Sequence, residues 1–558
     1  MTARRLSLSL SLGMLAVGVA LLVAAGLAPA SVSTGGDGKV RKGGILRLST
    51  SGDVDSVDPA VMGTTVSLPI GYATCARLFG YPDAPGAEGT RLIPEVVRRS
   101  RVSRDGKTYT FELKRTFRFH TGAPVTARSF RDAFERNADP KMNSFAAPFM
   151  REIAGANAVI AGKARTISGV RVLGPYRLQI RLTKPLGDFT ARLTMPVFCP
   201  VLPNTSIDPV GIDNPAGSGP YYVAERVVNR RIVLKRNPYY RGGRPANVDQ
   251  VVWTVGEMSV AACIQATEQN RIDHCVDSQF VSGATAKALD ERYGLNRPGG
   301  QFFVSPSMST WYLAFNHDRR SFKGPGQIPL KKAINYAIDR PEIVRVFGHL
   351  GRKRTDQILP PALAKDTSLY PLKGADPATA RKWLAKARFK PEKLVLYTNN
   401  QPQLGGVPVA QVIAFNLRQI GIDVDVKYFD WPGALSPKAG SRAEPFDLVF
   451  AGWTADYPDP ATFFVPLLYG ETLKPTGNQN LAHFDDRKVN ARIDAANRLT
   501  GGAARRRAWA DLESDLMRGN PPWAPLFHVS RRHFISPSYG CYFFHPVYLL
   551  DIAAACKK

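Results

Sequence analysis

The segment Ala451-Gly452-Trp453-Thr454-Ala455-Asp456-Tyr457-Pro458-Asp459-Pro460 gathers residue types able to hold a cation. Asp456 follows an apolar, strand-like run (Phe446–Trp453) and stands close to two aromatics, Trp453 and Tyr457. A carboxylate in a water-poor aromatic cleft either finds a cation or gives up its charge through a raised pKa. A ligand ammonium is such a cation, and ligands of open α/β sheets bind beyond the carboxyl ends of strands. The competing reading is turn chemistry, since Asp before Tyr-Pro commonly closes an Asx-turn or caps a helix. Beside it, the backbone of Gly452, Trp453 and Thr454 could receive an extended ligand as an added strand. Gly452 permits close backbone approach, while Trp453 reads equally well as a core tryptophan under the strand end.

Other constellations fail on spacing. Cys263, His274 and Cys275 contain no C-x-x-C, and no H-E-x-x-H occurs, so zinc finds no site. Asp53, Asp55 and Asp58 lack the turn glycine and terminal glutamate of a calcium loop. Gly217-Ser218-Gly219 has Ala216 where a nucleophile elbow needs its first glycine. No cofactor or metal is called for, and the chain reads as a binder rather than an enzyme. The six cysteines allow fifteen complete pairings. Cys263–Cys275 and Cys541–Cys556 are the local guesses, leaving Cys75–Cys199, with buried thiols as the alternative.

Export is read from the N-terminus. Arg4 and Arg5 precede an uncharged stretch from Leu6 to Ala28, and Ala28-Pro29-Ala30 supplies small residues for cleavage. Residues 1–30 are therefore expected to be a signal peptide, with a retained anchor as the alternative. Residues 31–43 read as a flexible tether. No cysteine lies near the cleavage region, so no lipid-anchor cysteine is expected. The balance of 74 Lys+Arg against 46 Asp+Glu gives +28, attractive to any polyanion. Export makes nucleic acid an unsuitable partner and points to periplasmic or cell-envelope life. Retention on anionic wall or lipid would then weaken as salt rises.

The elements that must position the site follow from periodicity. The 558 residues exceed what one core organises, predicting two or three lobes. Alternation at Tyr109, Phe111 and Leu113, followed by Phe117 and Phe119, predicts a hairpin within 107–119. Thr126–Asn137 reads as a helix, and Gly169–Leu182 as β-rich with a turn at Pro175. Beyond about 305 the pattern becomes α/β. Leu330, Ile334, Ala337 and Ile338 share a helical face; Asp339 and Glu342 form a capping signal for a second helix. The strand Leu394–Tyr397, a helix through Val409, Ile413 and Leu417 stopped by Gly421, and a strand at Ile422–Val426 predict a βαβ unit.

Five segments in order resemble one family: 43–60 (GGILRLSTSGDVDSVDPA), 116–136 (TFRFHTGAPVTARSFRDAFER), 217–240 (GSGPYYVAERVVNRRIVLKRNPYY), 333–344 (AINYAIDRPEIV) and 451–464 (AGWTADYPDPATFF). They are similar to the extracellular solute-binding proteins of peptide-type ABC importers, the oligopeptide, dipeptide and nickel group. The resemblance implies an α/β, two-lobed periplasmic-binding-protein-like fold with an extra inserted domain. Lobe one would comprise 44–80, 201–305 and 516–558, the insert 81–200, and lobe two 306–515. It further implies a monomer that captures short peptides and passes them to membrane permease and ATPase subunits. The same fold binding an oligosaccharide, a nickel chelate or a small cationic metabolite is the alternative. By the same resemblance Asp456 would hold a peptide's α-amino group, with Gly452, Trp453, Thr454 and Tyr457 lining the site. Thr64 and Thr65 match positions that meet ligand backbone. Phe450 stands where some oligopeptide receptors carry an arginine. His120, Tyr221 and Tyr222 are read as structural.

Overall fold

A computed structural model describes residues 40–364, 368–431 and 433–558. The expected signal peptide, and the tether as far as residue 39, lie outside the described residues. A single eleven-stranded sheet runs through most of the molecule. Its order along one path is Asp423–Phe429, Lys393–Asn399, Leu448–Thr454, Phe302–Phe315, Trp523–Ile535, His274–Cys275, Ile45–Thr50, Gln250–Val255, Arg231–Arg236 and Tyr221–Val227. Arg352–Arg354 pairs with the Trp523–Ile535 strand off this path. Two long antiparallel strands, Phe302–Phe315 and Trp523–Ile535, join the halves. Their register shifts between Pro306 and Thr310, where proline cannot donate to a ladder.

The α/β half forms as its periodicity predicts. Strands Lys393–Asn399 and Asp423–Phe429 are parallel neighbours linked by the helix Gly406–Arg418, which buries Val409, Ile413 and Leu417. Asp339 accepts from the Glu342 N–H at 2.9 Å and starts the helix Arg340–Arg345; Asp376 does the same for Pro377–Ala385.

Residues between the first short helix, Leu68–Thr74, and Phe198 build a second body with its own core and a four-stranded antiparallel sheet. Here the expected hairpin is displaced. Thr108–Leu113 pairs upstream with Val97–Val102, and Phe117 and Phe119 lie in a separate loop where the Phe119 N–H donates to Ala123 O. The upstream strand, VRRSRV, is exposed at all but Val97, so it shows no apolar alternation. Three disulfides join Cys75 to Cys199, Cys263 to Cys275 and Cys541 to Cys556. No helix among the described residues is long and apolar enough to cross a membrane.

Candidate functional site

The strand Leu448–Thr454 ends at the motif. Along its whole length it pairs with Phe302–Phe315, from Leu448–Phe315 to Thr454–Ser309. On its other side the parallel neighbour keeps register only at Leu396–Leu448 and Tyr397–Val449. Phe450–Thr454 therefore has a strand on one side only. The Ala455 N–H donates to Met308 O at 2.9 Å, so alternation turns the main-chain groups of Gly452 and Thr454 toward the open side. An edge of this kind accepts an extended chain without reference to its side chains.

Asp456 stands just past that edge. The residue keeps some surface, but its Oδ2 is sealed and accepts no hydrogen bond. Burial pushes its carboxyl up to about 7. Tyr72, from the helix Leu68–Thr74, has its phenol pushed up by burial, and the Asp456 charge adds to the push. Tyr72 packs in a small cluster with Tyr81, Met308, Val547 and Tyr548, flanked by Leu363 and Ala455. The buried Arg77 lies 5.0 Å from the Tyr72 and Tyr548 rings, but its charge is already matched by Glu95 at 2.8 Å. The tyrosine cluster beside Tyr72 thus holds a cation whose charge is spent.

The other expected residues divide. At Gly452 the space a Cβ would fill is occupied by the Trp311 indole, its cross-strand partner. The missing side chain serves that packing rather than ligand approach, while the in-plane main-chain edge stays open. Trp453 is half-buried against the apolar cluster of the closing helices, and its sealed Nε1 has no partner. The Thr454 hydroxyl is engaged with Ser309 Oγ at 2.7 Å, so only its backbone is free to serve a ligand. Tyr457 is turned away from the edge: it is buried in the core of the second body and donates to Asp188 Oδ2 at 2.7 Å. This corrects the expectation of a ligand contact there. Thr64 lies in a loop tied to Asp55, its hydroxyl donating to Oδ1 at 2.9 Å; with half-buried Thr65 it leads into the helix that carries Tyr72. Phe450 is core, its ring tilted against Trp311 with centroids 4.9 Å apart.

Two further readings resolve structurally. Asp53 binds Arg226, Asp55 the loop, and Asp58 grips Arg136 through both oxygens at 3.0 and 2.6 Å, so these acids serve three separate tasks. His120 Nδ1 accepts from the Gly217 N–H, and its ring stacks on Tyr222 at 4.2 Å. Tyr72, Met308 and Tyr548 carried no motif. Only the fold brings them to Asp456.

The second body also meets the α/β half beside the motif. Besides Tyr457–Asp188, the Gly187 N–H donates to Asn497 O at 2.8 Å and Lys184 pairs with Asp494 at 2.9 Å. Asp459 pairs with Arg505 at 2.7 Å, and Asp188 with Arg192 at 3.0 Å.

The chain is similar in sequence and fold to known proteins. The chain is similar to the periplasmic oligopeptide-binding protein OppA of Salmonella typhimurium, 25% identical over 79% of this chain and 80% of that one. It is 26% identical to the periplasmic murein peptide-binding protein MppA of Escherichia coli, over 81% and 82% of the two. The solved structure of clavulanic acid biosynthesis oligopeptide binding protein 2 superposes with a TM-score of 0.83 at 26% identity, covering 93% of this chain and 96% of that one. Residues 91–474 match the family described as bacterial extracellular solute-binding proteins, family 5 Middle, and the chain belongs to that family.

Proposed function

We propose that this protein is the extracytoplasmic receptor of an ABC importer, holding short peptides by a free N-terminus and delivering them to a permease. The observation that carries it is the sealed, unpartnered Oδ2 of Asp456, two residues past the end of a strand whose edge is open. A peptide ammonium supplies the missing charge, and its backbone fills the edge. Relatives named for oligopeptides and murein peptide support the ligand class. In this reading residues 44–80, 201–305 and 516–558 form lobe one, 81–200 the insert and 306–515 lobe two. Residues 1–30 are removed on export, and the mature chain works as a monomer that binds without catalysing.

The test is thermal stability with matched tri- to pentapeptide mixtures, free or N-acetylated. Ligand at a hundred times its Kd stabilises by about 2.7 kcal/mol. Stabilisation by free peptides alone is expected. Equal stabilisation by both would remove the ammonium role from Asp456, and no shift from either would turn the reading to a non-peptide solute.

A further inference from the structure

Where the two long strands cross from one half to the other, three arginines stand within electrostatic reach of one another, the charges of Arg532 and Arg531 both bearing on Arg352, with no acid paired to them among the described residues. Arg531 lies opposite Ser305 and Arg532 opposite Val304, just before the register shift, while Arg352 on the short strand Arg352–Arg354 lies opposite Val529. Among the described residues none of the three has a carboxylate within ion-pairing distance, although most other buried arginines do, including Arg77, Arg136, Arg192, Arg244 and Arg505. Their partners are neutral: Arg531 donates to Gln279 Oε1, Arg532 to His349 O at 3.2 Å, and Arg352 to Gly351 O at 2.6 Å. The Nε of each is sealed and unpaired. Arg532 is only 3% exposed. Arg352 lies over the Phe347 and Phe527 rings, 4.5 and 5.5 Å from their centres, which fixes its plane and leaves its edge to donate. Burial pushes Arg531 down to about 10 and Arg352 down to about 9, the latter helped by the charges of Arg532 and Arg531.

Buried charges are normally paired, and guanidinium groups match planar or tetrahedral oxyanions through paired N–H donors. We propose that Arg352, Arg531 and Arg532 form a binding site for a small oxyanion, a carboxylate or phosphate group, at the crossing between the halves. The site lies across the Phe302–Phe315 strand from the open edge of Gly452 and Thr454, and it stands whether or not that edge takes a peptide. Such an anion would neutralise unpaired positive charge at the crossing, and so favour the observed arrangement of the halves.

The test uses the mature chain in chloride buffer at constant ionic strength. Inorganic phosphate and sulfate, raised to about 20 mM, are expected to increase Tm in a saturable way, and calorimetry should show phosphate binding directly. Arg531→Met and Arg532→Met should lose that response, while melting no lower than the parent without anion, because an unpaired charge has gone. Absence of any phosphate or sulfate response in the parent chain overturns the site. So do variants that melt lower yet keep the full response, which would make the arginines structural. Repeating the titration with a free-acid tripeptide and its C-terminal amide separates the sources. Loss of the phosphate response with the acid alone assigns the oxyanion to a ligand's carboxylate; an unchanged response with both assigns it to a free anion.

Discussion

Asp456 is an acid held near neutrality, and its behaviour with pH has a definite sign. Its carboxyl is raised from 3.8 to about 7 in the folded chain. Below about pH 3 both folded and unfolded forms are protonated and burial carries no penalty. As pH rises from about 3 to 7 the unfolded chain ionises first and stability falls; above 7 the loss is constant. Asp456→Asn should therefore stabilise the ligand-free protein at pH 8 by roughly 2 kcal/mol, discounted for the residue's remaining surface, and leave it unchanged at about pH 3. Chemical denaturation at the two pH values checks this. Peptide binding has the opposite demand, since an ammonium needs the ionised acid. Affinity for free peptides should climb by up to about tenfold per unit between pH 5 and 7, and affinity for acetylated peptides should stay flat. Asp456 was legible in the sequence because a lone acid among aromatics at a strand end is chemically conspicuous. Tyr72, Met308 and Tyr548 were not, because ordinary apolar residues announce packing and never the partner they will meet.

At the scale of elements, the motif strand works through what lies beside it. Gly452 looked like a concession to a ligand, yet its empty side is filled by Trp311 across the ladder. Gly452→Ala should cost about 1–3 kcal/mol by displacing the indole. A second substitution, Trp311→Leu, should recover most of that loss, giving a strong non-additive term in a double-mutant cycle. The βαβ unit was readable because the helix and strand periods follow one another cleanly over 393–429. The hairpin was not, because Val97–Val102 turns basic and serine side chains to solvent and lacks the alternation that marks a half-buried strand. A glycine in a sequence likewise shows that space is needed without showing who uses it.

The whole molecule depends on joints that sequence order conceals. Cys75–Cys199 closes a separation of 124 residues, against 12 for Cys263–Cys275. Chain entropy assigns about 5 kcal/mol to the first loop and about 3 kcal/mol to the second. Replacing Cys75 and Cys199 by serine should lower stability more than the corresponding change at Cys263 and Cys275, as calorimetry of both variants would show. The interbody contact can be tested alone. Tyr457→Phe removes a hydrogen bond to a buried carboxylate and should cost about 1–2 kcal/mol while keeping the ring's packing. The α/β pattern beyond 305 was readable, and the parallel strands Lys393–Asn399 and Asp423–Phe429 with the helix between them carry it. That Tyr457 would enter the core of the second body was not, since the acid that receives it, Asp188, sits in an unremarkable loop far along the chain.

Asp456 and Tyr457 are consecutive, and one faces the open edge while the other is anchored in the opposite body. The turn that carries them cannot withdraw from a bound ammonium without drawing a phenol out of its pocket. On the proposed reading, a retreat of this turn during release draws Tyr457 from its pocket, so residence time and selectivity rest on neighbouring residues and can be tuned apart. A change at Asp188 should quicken release while leaving untouched the preference for one peptide terminus over another.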